Sequence, residues 1–288
     1  MNQNQIQKIL ERSKIKTKEI TNATNSFNSN VYIIKSENNK KYVLKFCNNQ
    51  TKMLNESKYM NYLKTYIPVS KVISTGKQDD KYYIIQSFLE GNNIYDEEAN
   101  NLSTNQIQNI GILLAKLHSC KPLETPNNSW ITYLNNTLDK TETTIEKVLG
   151  KENNNKISTY LKNYIKKDIS NNYKNSILHM DFRIGNIIFK QNNKVGLIDL
   201  ESMKNGEYVF DFVKLNKILN KENFKTLITE YNKIKPLENN FKERLEFYTL
   251  FDSYTSLWWS ITKNKLDTNF YKSNYKIVIN YLEKQNKK

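Results

Sequence analysis

The 288-residue chain has only two cysteines, Cys47 and Cys120. They lie far apart and outside any metal-like spacing, which excludes a disulfide scaffold and suits a reducing compartment. No apolar run approaches the roughly 20 residues that a membrane span requires. The opening Met1-Asn-Gln-Asn-Gln5 has none of the apolar core of a secretory leader. A cytoplasmic protein with no membrane partner is the expectation. Arginine is scarce, three of the 44 basic residues, so the net charge of +15 is almost wholly lysine. No arginine-rich tract, recognition-helix pattern or RNA-binding aromatic motif accompanies that charge. The lysines are dispersed among Asn and Ile along the chain, so we read them as a solvated surface, with no nucleic-acid partner. No internal repeat shows.

What the chain does have is concentrated in Ser176-Ile-Leu-His-Met-Asp-Phe-Arg-Ile-Gly-Asn-Ile-Ile-Phe189 and in Gly196-Leu-Ile-Asp-Leu-Glu201. Transfer of a terminal nucleotide phosphate to a hydroxyl needs a carboxylate that orients the hydroxyl and accepts its proton. It also needs oxygen ligands that hold magnesium on the phosphates. Asp181 suits the first task, and Asn186 and Asp199 suit the second. The runs Ile187 to Phe189 and Val195 to Ile198 are short, β-branched and separated by a polar turn, Gln191 to Lys194. They should pair as a hairpin whose open end brings Asn186 and Asp199 to one cavity.

The spacing His179-x-Asp181-x-x-x-x-Asn186, followed by Ile198-Asp199-Leu200-Glu201 and by Asp211, resembles the aminoglycoside phosphotransferase and choline kinase branch of the protein-kinase-like superfamily. The resemblance spans about residues 20 to 262. It implies an α+β, two-lobed protein-kinase-like fold: a small antiparallel-sheet N-lobe over residues 1–89 and a larger, mostly helical C-lobe over 90–288. It implies ATP or GTP as co-substrate, Mg2+, and a small-molecule hydroxyl as acceptor. Aminoglycoside-like antibiotics lead as the acceptor class, with choline and related amino-alcohols as the alternative. A nucleotide-binding pseudokinase is the alternative without catalysis. A monomer is expected.

In the first ninety residues the resemblance assigns a phosphate-covering hairpin from Asn22 to Phe46. It has no glycine, and Asn28, Ser29 and Asn30 stand in its loop. Lys45, at the end of Tyr42-Val-Leu-Lys, stands where the superfamily keeps the lysine that reaches the nucleotide phosphates. Strand alternation puts it on the same face as Val43. The stretch Thr51 to Tyr66 is helical by its period, and Glu56 on it is the natural ion-pair partner for Lys45, holding the lysine off the metal carboxylates. Residues 1 to 20 read as a leading helix or arm. Val72 to Gly76 and Tyr82 to Phe88 read as strands, with a hinge at Gln86 to Leu89. There, free backbone groups would read the edge of the base, and Gln86 and Phe88 are its candidate contacts.

Further on, Ser103-x-x-Gln106 is a capping box opening a helix that ends at His118, which we read as structural. Around the central motif, His179 should hold the loop by hydrogen bonds, and Gly185 should permit a tight turn. Arg183 is placed either to neutralise phosphate charge or to pair with Asp181. Glu201 is open between a second magnesium ligand, a receptor for a cationic substrate group and a solvent-facing strand end. Asp252 and Trp258, in an aromatic stretch near the C-terminus, are candidate contacts for an alkylammonium substrate, though helical spacing also fits core packing.

Overall fold

A computed structural model describes residues 3–23, 31–123, 129–170 and 172–286. In chain order the elements are α1 (Gln3–Arg12), β1 (Thr17–Asn22), β2 (Val31–Ser36), β3 (Lys41–Cys47), α2 (Gln50–Leu63), β4 (Val72–Gln78), β5 (Lys81–Ser87) and β6 (Asn92–Asn93). They continue as α3 (Thr104–Ser119), α4 (Trp130–Leu149), α5 (Lys151–Tyr164), β7 (Asn175–Leu178), β8 (Ile187–Phe189), β9 (Val195–Leu197) and β10 (Lys204–Glu207). The chain ends in α6 (Phe212–Ile218), α7 (Lys221–Ile234), α8 (Phe241–Thr262) and α9 (Asn269–Asn286). It divides into two compact units, one of residues 1–120, 179–204 and 218–236, the other of residues 121–178, 205–217 and 237–288.

The first unit is built on an antiparallel sheet in the order β1-β2-β3-β5-β4. Ile6, Ile9 and Leu10 of α1 pack with Ile34, Leu44, Phe46, Tyr83 and Ile85 in one apolar cluster. Each such burial contributes on the order of 2 kcal/mol. Because Leu44 and Phe46 face α1, the period of two turns Val43, Lys45 and Cys47 to the opposite face. That alternation is what aims Lys45 at the site.

The leading helix is shorter than the sequence suggested. It ends at Arg12, Lys14 adopts a left-handed φ of 56°, and Thr17–Asn22 joins the sheet as an edge strand paired to β2. The β-branched residues Ile15, Thr17, Ile20 and Thr21 favour the strand once β2 offers a partner.

The hairpin of β8 and β9 forms as expected, with Ile187 opposite Leu197 and Phe189 opposite Val195. The polar turn is a short 3-10 helix over Gln191–Asn193. Helix α3 opens on the capping box of Ser103 and Gln106 and packs closely on α7, where a Cβ at Gly111 would lie 2.5 Å from the Leu227 carbonyl oxygen. At the end of α3, His118 Nδ1 meets the Tyr231 hydroxyl at 3.0 Å, in keeping with a structural role.

The second unit is mostly helical. Trp130 on α4 donates from Nε1 to the Tyr248 hydroxyl at 2.7 Å, and that hydroxyl donates to Glu207 at 2.5 Å. Arg244, nearly fully buried, approaches the same carboxylate at 3.5 Å. No helix among the described residues is long and apolar enough to cross a membrane.

Candidate active site

Lys45, Glu56, His179, Asp181, Arg183, Gly185, Asn186, Asp199 and Glu201 fall within the first unit, on three supports, whereas Asp211 of the same motif lies in the second. β3 carries Lys45 and α2 carries Glu56. The segment 179–201 carries the rest.

Lys45 is the hub. Its Nζ lies 2.9 Å from Glu56, 2.5 Å from Asp199 and 3.1 Å from Glu201. Burial works against the charge, and the three carboxylates more than offset it, so its pKa is raised above that of a free lysine. Glu56 is fully buried, and burial raises its pKa despite the adjoining ammonium. The expectation that Glu56 would hold the lysine off the metal carboxylates is corrected here. The amine bonds Glu56 and Asp199 together, because the oxygens of Glu56, Asp199 and Glu201 lie within 4.8 Å of one another and that much negative charge draws in the available cation.

Asp199 follows β9 in a left-handed conformation, φ 63° and ψ 59°. A residue other than glycine there costs about 1–2 kcal/mol, a strain that surrounding structure must hold. Helix α2 supplies that hold. Asn55 Nδ2 donates to the carbonyls of Glu201 and Met203 at 3.0 and 2.9 Å, and Lys52 Nζ binds Glu201 at 2.6 Å. Neither Lys52 nor Asn55 was found from the sequence; helical period puts Lys52 one turn from both Asn55 and Glu56 without showing what they reach.

The loop carrying Asp181 is held from several sides. Met180, just before it, is left-handed with φ 69°. The Asp181 amide donates to His179 Nδ1 at 3.3 Å, which leaves Nε2 as the protonated nitrogen that donates to the Ile198 carbonyl at 2.9 Å. Asn186 Nδ2 donates to the Asp181 carbonyl at 2.8 Å and to its Oδ2 at 2.9 Å. The amide of Asn186 thereby turns its oxygen to the remaining side. The Ile198 amide donates to the Asn186 carbonyl at 3.1 Å, which joins the open end of the hairpin where Asn186 and Asp199 stand. The amide oxygen of Asn186 and the carboxylate of Asp199 are the hard oxygen donors a magnesium ion takes.

Arg183 Nε lies 3.4 Å from Asp181 Oδ2, and its Nη1 lies 2.8 Å from Asp96 Oδ2. Burial opposes its charge and the two carboxylates outweigh that, raising its pKa. Gly185 does not have the positive φ that a tight turn would demand. A Cβ there would lie 2.3 Å from Arg183 Nη1, so the guanidinium would have to move to admit one.

At the hinge, the Ser87 amide donates to the Lys71 carbonyl at 2.8 Å and the Phe88 amide to the Lys41 carbonyl at 3.2 Å. The expectation of free amides at these positions is corrected: sheet pairing continues one residue past β5 and engages them. Gln86 is buried on β5 with its side-chain oxygen unpartnered among the described residues, and the Phe88 ring lies under Lys41 at 5.0 Å. Asn28, Ser29 and Asn30 lie outside the described residues. In the second unit, Asp252 is paired to Lys217 at 2.7 Å, and Lys140 stands 4.5 Å over the Trp258 ring.

Comparison with known proteins identifies the family and the fold. The Phosphotransferase enzyme family matches over residues 20–232. A search of curated protein sequences finds no match. The GDP and kanamycin complex of APH(2″)-IIIa is similar in structure, with a TM-score of 0.76 at 12% identity over 96% of this chain and 97% of that one. The choline kinase LicA from Streptococcus pneumoniae gives 0.71 at 17% identity over 96% and 100%. The amicoumacin kinase hAmiN, in complex with AMP-PNP, Ca2+ and Ami, gives 0.71 at 12% over 97% and 94%. At such identities the likeness establishes the protein-kinase-like fold.

Proposed function

The chain belongs to the phosphotransferase enzyme family, and from that premise we propose that it transfers the terminal phosphate of ATP or GTP to a hydroxyl of a small molecule, with an aminoglycoside-class antibiotic as the leading acceptor. The observation that carries this reading is the gathering of Lys45, Glu56, Asp181, Asn186 and Asp199 within one compact unit. Residues up to Leu89 grip the nucleotide, and the chain from residue 90 onward supplies the chemistry and the acceptor site. The protein acts as a cytoplasmic monomer.

In the reaction, Asp181 orients the acceptor hydroxyl and takes its proton as the new oxygen–phosphorus bond forms and the bond from the terminal phosphorus to its bridging oxygen breaks. Lys45, anchored by Glu56, binds the phosphates. Asn186 and Asp199 are the residues that would hold magnesium, which would supply charge neutralisation on those phosphates. His179 keeps the loop in register through Ile198.

An amino-alcohol acceptor of the choline type is the second reading, and the charge distribution favours it. The chain carries +15, and Glu201 and Asp252 are already paired with lysines, which leaves less acid for a polycation than for a single ammonium. The test is a thermal-shift series with ATP and GTP, with and without magnesium, followed by phosphate-transfer assays on kanamycin, amicoumacin and choline. Stabilisation by nucleotide with magnesium and phosphorylation of one acceptor class is expected. No stabilisation by any nucleotide would remove the kinase reading, and nucleotide binding without turnover on any acceptor would leave a pseudokinase.

A further inference from the structure

Outside the motif, one acidic side chain reaches into the loop that carries the base. Asp96, the first residue of a short 3-10 helix over Asp96–Asn101, uses both carboxylate oxygens. Oδ2 accepts from Arg183 Nη1 at 2.8 Å, and Oδ1 accepts from the Gly185 amide at 2.8 Å. Three residues earlier, Asn93 Nδ2 donates to the Gly185 carbonyl at 2.7 Å and to the Ile187 carbonyl at 3.3 Å. The strand pairing of β6 with β8 fixes the approach of this segment.

We propose that Asp96 is a positioning residue for phosphoryl transfer, acting through Arg183 to set the orientation of the Asp181 carboxylate. Arg183 bridges the two acids, Nη1 to Asp96 and Nε to Asp181 Oδ2. Asn186 Nδ2 engages that same Oδ2, so two donors on one oxygen fix the plane of the base. The absence of a Cβ at Gly185 is part of the device, because the guanidinium passes where that atom would stand. With Asp96 removed, Arg183 keeps Asp181 as its acidic partner and swings onto it, and the carboxylate turns with it. A misplacement of about an ångström at a reacting group is enough to cost one to two orders of magnitude in rate.

The inference rests on the phosphoryl-transfer reading, and the test separates the two. Asp96→Asn keeps an oxygen for the Gly185 amide and removes the negative charge that faces Arg183. It is compared with Arg183→Gln and with the double variant, in magnesium-dependent ATP turnover using whichever acceptor the screen finds, or water. The expected result is a fall in kcat of about tenfold or more for Asp96→Asn with the KM for ATP within about twofold, and no further loss when Asp96→Asn is added to Arg183→Gln.

A second measurement needs no activity. The chain has three arginines, Arg12, Arg183 and Arg244. In protein labelled with nitrogen-15 at arginine, the Arg183 Nη1 hydrogens, which Asp96 accepts, should exchange with solvent at least about tenfold faster in Asp96→Asn than in the natural protein. An unchanged kcat, losses that multiply in the double variant, or unchanged Arg183 exchange would overturn the proposal. If the natural protein turns over no nucleotide with any acceptor, the phosphoryl-transfer reading fails instead, and the exchange experiment still decides whether Asp96 holds Arg183.

Discussion

Lys45 Nζ donates to Oδ1 of Asp199 at 2.5 Å, a bond that spans 154 residues and ties the sheet to the segment that follows the hairpin. The same amine is held by Glu56, which is fully buried and has no other ion-pair partner among the described residues. A divalent cation taken up by Asp199 would therefore compete with Lys45, and nucleotide phosphates would give the amine somewhere else to go.

Lys45→Met should lower folding stability by about 3–5 kcal/mol, since it strands a buried carboxylate. Glu56→Gln in the same chain should return most of that loss, because the charge that needed a partner is gone. Urea denaturation of the single and double variants checks this, and equal instability of the two would contradict the pairing. The pH dependence has a definite sign. Lys45 titrates above its unfolded value of 10.5, so its contribution is complete below pH 10.5 and is lost as pH rises through the higher folded value.

Asp181→Asn should lower kcat by about two to four orders of magnitude, the usual range for a general base. Nucleotide affinity should change little, because Lys45 and Asp199 are untouched. Isothermal titration with ATP and magnesium, beside steady-state kinetics, separates the two effects. Retained turnover in this variant would refute the assignment of the base.

Burial pushes the Lys204 amine down to about 8. A lowered lysine pKa means that the folded state sheds its proton first. The penalty for burying the charge is fully present below pH 8, and it is relieved as pH rises from 8 toward the unfolded value of 10.5. Measured by denaturation at pH 7, 9 and 10.5, the natural protein should gain stability relative to Lys204→Met across that window. A flat difference would remove the claim.

Both thiols should be inert in the folded protein. Burial, joined by the negative charge of Glu56, pushes Cys47 up to about 12, and burial also raises Cys120. Thiolate is the reactive form, so a disulfide-exchange reagent at pH 8 should label neither cysteine on the time scale that labels both in denaturant. Fast labelling of Cys47 in the native protein would show that the site around Lys45 opens.

Ile9→Ala should cost about 2–5 kcal/mol, because Ile9 is fully buried between α1 and the sheet. A near-neutral thermal shift would mean that α1 is a dispensable arm.

The hairpin of β8 and β9 was legible because its signals are local: a period of two, a polar turn and a fixed spacing between Asn186 and Asp199. The capping box of α3 was legible for the same reason. Residues 17–22 were misread because a β-branched run next to a helix takes its state from a partner strand, and β2 comes later in the chain. The bound amides of Ser87 and Phe88 were equally invisible, since a backbone donor leaves no mark in side-chain identity.

Sequence by itself determined the kind of chemistry this protein holds, because the order and spacing of His179, Asp181, Asn186 and Asp199 are fixed by the chain. Only the tertiary structure decided which charges serve it. Asp96 was brought to Arg183 across 87 residues, Glu201 was taken up by Lys45 and Lys52, and Asp252 by Lys217. Coulomb attraction falls with distance in space and is indifferent to separation along the chain, so partners of this kind are set by folding.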